Sequence, residues 1–356
     1  MYTFIALSAF LVTIGVTLVQ SQVCSDCMNY DKCPPALYLA INKKDQATTQ
    51  LFKLASCGFD RSTRRPIPKV CCSKFQQEAE DIRISNHPNL DLLPKRCGEI
   101  EEHRIIGGKQ ADPFEFPWMA LIARSLQGPE FTCGGSIINE RYILTAAHCV
   151  FQRRIEAVRI GEYEIKPTNE ADCIMDECVT HKDFEVELSV VHEEYNQMLG
   201  TNDIALLRLT ELMDFQQDNI YPICLPKTAQ LRNKPLAHQR ATVAGWGFTE
   251  DYIPFSILLK VDIPIVTVED CRNFYNRHEG DYNVTDKKLC AGTTGKDSCG
   301  GDSGGPLMVK VSDNKTVRVI QYGLVSSGPV RCGSGVPGLY TEISKYMGWI
   351  LDNITP

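Results

Sequence analysis

The chain has 356 residues, a formal net charge of −7, and ordinary apolar and charged fractions of 43% and 23%. That length favours two folding units over one, and the composition excludes a disordered or fibrous protein. The modest acidic balance argues against a dedicated nucleic-acid binder.

Residues 1–21 carry an apolar run from Phe4 to Val19 followed by small or polar residues. This reads as a secretory signal peptide cut near Ser21 or Gln22, although no Lys or Arg precedes the run. It is short for a membrane-spanning helix, and no later stretch could span a bilayer. The sixteen cysteines fit export, because a reducing cytosol would not keep disulfides closed. A zinc site would need more than the single Cys-x-x-Cys spacing of Cys24 and Cys27. Sequons at Asn283 and Asn314 predict glycosylation; Asn353 is a poorer one, close to Pro356.

Six cysteines fall within residues 24–72: Cys24, Cys27, Cys33, Cys57, Cys71 and Cys72. A unit this small cannot bury enough apolar surface to be robust alone, and bridges contributing about 2–5 kcal/mol each would hold it. Six cysteines allow about fifteen pairings. Adjacent Cys71 and Cys72 point in different directions on extended backbone, so they should take different partners. Residues 73–104 are rich in charge, with Pro88, Pro94 and Cys97, and read as a linker. From Ile105 onward, short β-branched or aromatic runs such as Tyr142–Leu144, Ala241–Ala244 and Val317–Val325 alternate with turns. That pattern predicts an all-β sandwich or barrel. At the end of the chain, Ile343, Tyr346, Met347, Ile350 and Ile354 recur at helical spacing and predict a closing amphipathic helix.

Three motifs within this β-rich part carry chemistry, in the order Thr145-Ala-Ala-His148-Cys149, Asn202-Asp203-Ile-Ala-Leu-Leu207 and Gly301-Asp302-Ser303-Gly304-Gly305-Pro306. Singly, each could be a structural histidine, a capping aspartate or a tight turn. Together they match the template for nucleophilic acyl transfer. A serine hydroxyl is a poor nucleophile and needs a base to take its proton, which His148 suits. Asp203 would orient the imidazole. The glycines around Ser303 would let the Gly301 and Ser303 amides face a developing oxyanion, where losing one donor costs about 2.7–4 kcal/mol.

With Ile105-Ile-Gly-Gly108, Cys133-Gly-Gly-Ser136, Ala244-Gly-Trp246-Gly247 and Pro337-Gly-Leu-Tyr-Thr341, these motifs make residues 105–356 resemble a chymotrypsin-type, trypsin-like serine protease. The resemblance covers about seven tenths of the chain. It implies two six-stranded β-barrels with the triad in the cleft between them. The six-cysteine unit ending in Cys71-Cys72 resembles a clip domain, which precedes protease domains in arthropod haemolymph cascades. The resemblance implies the bridges Cys24–Cys71, Cys27–Cys57, Cys33–Cys72, Cys133–Cys149, Cys271–Cys290 and Cys299–Cys332. It further implies a small-loop bridge Cys173–Cys178 and a linker-to-protease bridge Cys97–Cys224.

By the same resemblance, cleavage after Arg104 frees the Ile105 amine, which pairs with Asp302 and orders the oxyanion hole and specificity pocket. Asp297 occupies the floor of that pocket and Gly328 and Gly338 its walls. A buried carboxylate there favours Arg or Lys substrates, Arg above Lys. Two departures stand out: Ser327 where relatives usually carry an aromatic, and Gly300 where a larger residue is common. Glu162, Glu164 and Asp172 could supply hard oxygen ligands to a structural calcium ion, or form a solvated acidic loop. No cofactor is expected for catalysis.

The expected function is a secreted serine endopeptidase zymogen acting after Arg or Lys in an extracellular cascade of innate immunity, Toll activation or melanization. The expected partners are an upstream activating protease, a serpin inhibitor, and a protein substrate such as a protease zymogen, prophenoloxidase or a cytokine precursor. Neither a nucleic acid nor a membrane is expected. The alternative is a non-catalytic clip-domain homologue serving as a cascade cofactor. Such homologues typically replace the nucleophile, whereas Ser303 is present.

Overall fold

The computed structural model describes residues 24, 26–42, 46–62, 65–99, 110–126, 130–166, 170–174, 177–247, 256–278, 283–294, 301–313, 316–329 and 334–356. The expected signal segment, Arg104, Ile105, Asp297, Cys299, Gly300, Asn314 and Cys332 lie outside the described residues. The chain divides into two compact units, Met1–Glu80 and Asp81–Pro356. Among the described residues no helix is long and apolar enough to cross a membrane.

The smaller unit contains a three-stranded antiparallel sheet of β1 (Cys27–Asn29), β2 (Ser56–Asp60) and β3 (Ile67–Cys71), with β3 in the centre. Helices α1 (Pro34–Asn42) and α2 (Gln46–Ala55) lie between β1 and β2 in the chain, and α3 (Ser73–Ser85) follows β3. Its buried apolar set is small, including Ala36, Leu39, Val70 and Phe75, with the Phe52 and Phe75 rings 4.7 Å apart. The bridges Cys24–Cys71, Cys27–Cys57 and Cys33–Cys72 supply the missing restraint. Cys71 ends β3 and its neighbour Cys72 turns to a different partner, as extended backbone requires.

The division between the units falls within α3, so the segment expected to be a linker carries regular structure. Beyond Glu80 its residues belong to the larger unit. Asp81 and Arg232 form a nearly buried ion pair at 2.7 Å, and Arg83 and His87 both contact Asp352. The Asn89 amide donates to the carbonyls of Leu351 and Ile354. Charges that read as solvated in sequence are thus matched by partners far along the chain. After Cys97, which bonds to Cys224, Gly98 donates its N–H to the Pro222 carbonyl and accepts the Val319 N–H, both at 2.8 Å. Gly98 has φ +58°, and a Cβ there would lie 2.2 Å from the Val319 carbonyl oxygen, so glycine is required twice over.

The larger unit holds two closed six-stranded antiparallel barrels. The first comprises β4 (Met119–Ala123), β5 (Phe131–Ile137), β6 (Tyr142–Thr145), β7 (Ala157–Ile160), β10 (Lys182–Val191) and β11 (Ala205–Leu209). A hairpin of β8 (Asp172–Ile174) and β9 (Glu177–Val179) stands apart, with Cys173 bridged to Cys178 directly across it. The second barrel comprises β12 (Arg240–Gly245), β13 (Leu259–Val266), β14 (Lys288–Ala291), β15 (Pro306–Asp313), β16 (Thr316–Ser327) and β17 (Gly338–Glu342). Strands β4, β6, β7 and β14 are buried at every position. One face fills a barrel and the other is covered by neighbouring structure, which explains continuous apolar runs in place of alternation. Ser136 on β5 donates to Gln321 on β16 at 2.7 Å, a buried polar link between the barrels.

Helix α4 (Ala147–Val150) is a single turn, α5 (Ala229–Arg232) is capped by Thr228, and α6 (Val268–His278) carries Cys271, bonded to Cys290 on β14. Helix α7 (Met347–Asn353) closes the chain, and the five positions expected to form its apolar face are at most 2% exposed.

Candidate active site

Strand β6 delivers the chain into α4, whose single turn presents His148; Cys149 is bonded to Cys133 on β5. Asp203 precedes β11, beside Asn202, which adopts φ +52° as asparagine tolerates better than most residues. Asn202 is held by Tyr346 OH at 2.9 Å and donates to the Glu194 carbonyl at 2.9 Å. That anchorage aims Asp203 at His148. Asp203 Oδ1 accepts the His148 backbone N–H at 2.9 Å, and Oδ2 lies 2.9 Å from His148 Nδ1.

Asp203 is 2% exposed. Burial alone would raise its carboxyl, but the His148 hydrogen bond, the charges of His148 and Lys288, and a bond from Ser326 outweigh it. The carboxyl is therefore held below its usual range and stays ionised at neutral pH.

Ser303 sits on the turn that feeds β15. Its carbonyl accepts the Gly134 amide of β5 at 2.8 Å, which ties the second barrel's turn to the first barrel. Gly304 has φ +80°, and a Cβ there would lie 2.3 Å from Thr145 Oγ1 and 2.6 Å from the Gly134 carbonyl oxygen. The turn can approach His148's strand that closely only with glycine in place. Gly301, at φ +96°, and Ser303 flank Asp302 on the same turn. Asp302 Oδ1 accepts the Gly247 amide at 2.9 Å. Gly328 and Gly338 face each other: a Cβ on Gly328 would lie 3.6 Å from the Gly338 Cα, in ordinary contact. Ser327 is exposed at the end of β16, and Asn283 is exposed as a glycan acceptor needs.

Two participants carried no signal in the sequence. Ser326, beside the noted Ser327, donates from Oγ to Asp203 Oδ2 at 2.5 Å. Lys288, in a short apolar strand, donates from Nζ to Ser326 Oγ at 2.8 Å. Thr341 Oγ1 donates to the Asp203 backbone carbonyl at 2.9 Å and holds the main chain that carries the carboxylate.

Residues 105–350 match the family described as Trypsin. The chain belongs to the trypsin family. It is 36% identical to "CLIP domain-containing serine protease HP8" of Bombyx mori, covering 98% of this chain and 97% of that protein. It is 37% identical to "Melanization protease 1" of Drosophila melanogaster, covering 80% of this chain and 78% of that protein. Among solved structures, the Drosophila Grass clip serine protease of the Toll pathway aligns with TM-score 0.64 at 30% identity, covering 92% of this chain and 93% of that one. These likenesses place the chain among the clip-domain serine proteases.

The acidic loop does not fit a calcium ion. Asp172 accepts the Tyr163 and Glu164 amides and the Lys166 ammonium, the last at 2.9 Å. Lys166 also lies 3.5 Å from Glu164. Glu162 lies 3.2 Å from both Arg159 and His181. Burial, and then the Asp172 charge, push the Glu162 carboxyl up to about 7. The three carboxylates expected as ligands are thus matched by the chain's own cations, leaving too few free oxygens for a cation that takes about six to eight. Millimolar calcium and EDTA are both expected to leave Tm unchanged in differential scanning calorimetry. An ion at a hundredfold its Kd would instead add about 2.7 kcal/mol and raise Tm by several degrees.

Proposed function

We propose that the chain is a secreted serine endopeptidase zymogen, activated by cleavage after Arg104, that hydrolyses proteins after Arg or Lys in an extracellular cascade. The observation that carries this reading is the buried Asp203 carboxylate gripping both the backbone and the ring of His148. The Ser303 turn, hydrogen-bonded to β5, supports it.

In the proposed mechanism, Ser303 Oγ attacks the scissile carbonyl while His148 Nε2 takes its proton. Asp203 fixes the proton-bearing Nδ1 and stabilises the imidazolium. The Gly301 and Ser303 amides would donate to the oxyanion. The proton then passes from His148 to the leaving amine, and water resolves the acyl-enzyme by the same steps in reverse. Asp297 would receive the substrate cation at the pocket floor, between Gly328 and Gly338. The amine of Ile105, freed after Arg104, would pair with Asp302 and order this machinery. The bond from Cys97 to Cys224 supports a light chain that stays attached after cleavage.

Residues 24–72, stapled by their own bridges, are assigned as a clip domain that docks an upstream protease, a cofactor or a microbial surface, and residues 105–356 as the protease domain. Likeness to a melanization protease and to a Toll-pathway protease supports an innate-immune cascade. Its substrate would be a protease zymogen, prophenoloxidase or a cytokine precursor, and its inhibitor a serpin.

The test is a paired assay of the intact chain and of the chain cut only after Arg104, on matched peptides ending in Arg, Lys or Phe. Activity confined to the cut form, with Arg and Lys well ahead of Phe, is the expected result. Verified cleavage without activity on peptides or proteins would favour the cofactor reading.

A further inference from the structure

All four residues of β14 are buried. Alternation sends Leu289 and Ala291 into the second barrel's core and turns Lys288 to the opposite face. Lys288 is 3% exposed. A buried ammonium is costly without a countercharge. Its hydrogen bond goes to Ser326 Oγ at 2.8 Å, and Ser326 passes its own proton to Asp203 Oδ2 at 2.5 Å. The same Oδ2 lies 2.9 Å from His148 Nδ1. A continuous buried chain therefore runs from a lysine in the second barrel to the imidazole on the first.

The groups around it are few. Lys288 faces Asp203 from the segment before β11, Ser326 from β16, and Thr341, its pairing partner on β17. Asp203 is faced in turn by His148 from α4 and acts on the phenols of Tyr195 and Tyr346. Lys287, the next residue back, contacts Asn202 and the Tyr346 ring.

We propose that Lys288 is a positioning residue for the triad: its ammonium, relayed by Ser326, shares the Asp203 carboxylate with His148 and disfavours the imidazolium. This rests on the protease reading above. The consequence is a weaker stabilisation of the imidazolium formed during attack than an unshared carboxylate would give. Burial brings the Lys288 amine down to about 8, with the Asp203 charge opposing that fall. Its influence is therefore present at neutral pH and lost above pH 8.

The test uses the full chain with Lys288→Met, which nearly conserves volume, and Lys288→Gln, which keeps a donor but removes the charge. In the form cleaved after Arg104, kcat/KM is measured from about pH 5 to 10. Both variants are expected to move the acidic limb upward by about one pH unit. The unaltered enzyme is expected to show a further inflection near pH 8 that both variants lack.

In the uncleaved chain, the downfield NMR resonance of the His148 Nδ1 proton is titrated in parallel and is expected to shift the same way. That readout needs no turnover, so an inactive parent enzyme would sink the protease reading while still testing Lys288. Profiles and titrations that superimpose on the parent's would reduce Lys288 to a core filler and overturn the proposal. A shift with Met alone would assign the effect to the lost hydrogen bond and would also overturn it. Should Met fail to fold, the Gln variant decides by the same criteria.

Discussion

Asp203→Asn is expected to lower kcat of the cleaved enzyme by about ten-thousandfold while leaving the fold in place. The cause lies in what each carboxylate oxygen faces. Oδ1 accepts a backbone N–H from His148, a donor that cannot be reversed. The asparagine carbonyl must take that place, which puts its NH2 where Oδ2 stood. There it would donate to His148 Nδ1, 2.9 Å away, and drive the ring proton onto Nε2. Nε2 is the atom proposed to receive the Ser303 proton, so the base is spent before the reaction begins. Ser326 Oγ can accept the new N–H, but its own hydroxyl then loses its acceptor and the buried Lys288 its countercharge, so some loss of stability at all pH values is expected. A second stability difference depends on pH. The depressed Asp203 carboxyl contributes stability in full above its unfolded value, and that contribution is lost as pH falls through the folded value. The asparagine variant should lack that acid-dependent loss. A kcat within tenfold of the parent's, with Tm unchanged, would remove Asp203 from the mechanism.

After verified cleavage at Arg104, Asp302→Asn is expected to cost roughly a hundredfold to a thousandfold in kcat/KM. This would follow from the proposed Ile105 ammonium losing its partner, at about 3–4 kcal/mol. The carboxylate sits against the backbone of Gly245 and Gly247. Its Oδ1 takes the Gly247 amide at 2.9 Å, and a Cβ on Gly245 or Gly247 would lie 2.1 or 2.6 Å from that oxygen. Asparagine fits this space and keeps the Gly247 hydrogen bond but presents no charge to the Ile105 ammonium. The new terminus would then have no reason to remain buried, and the turn of Gly301 and Ser303 would not be ordered by it. The uncleaved variant should keep the parent's Tm, since the proposed ammonium does not yet exist there. Full activity of the cleaved variant would rule out the charge pair as the switch.

The proposed triad is read from sequence because each of its members sits in a short contiguous motif with local physical reasons. Gly304 is demanded by its own φ and by the approach of Thr145, and the residue after His148 is a cysteine bonded to β5. The closing helix was equally legible, because Ile343 through Ile354 repeat at the period that buries one face. Short β-branched runs gave an all-β sandwich or barrel, and only the family resemblance chose two barrels; register and strand order followed from neither.

What the sequence by itself determined about this chain was therefore the class of fold and the six-cysteine unit, and it named the residues proposed as the triad: periodicity, glycine placement and cysteine spacing are local properties. Only the tertiary structure decided which charges meet. Lys166 drew no notice in the sequence, and the fold sets it between Glu164 and Asp172. Asp81 and Arg83 read as linker charges until Arg232 and Asp352 arrive from far along the chain. Lys288 carries no signal in the sequence, and only the fold brings Ser326 and Asp203 around it. A charge's environment depends on burial and on partners brought in by long-range packing, and neither is encoded in the residues beside it.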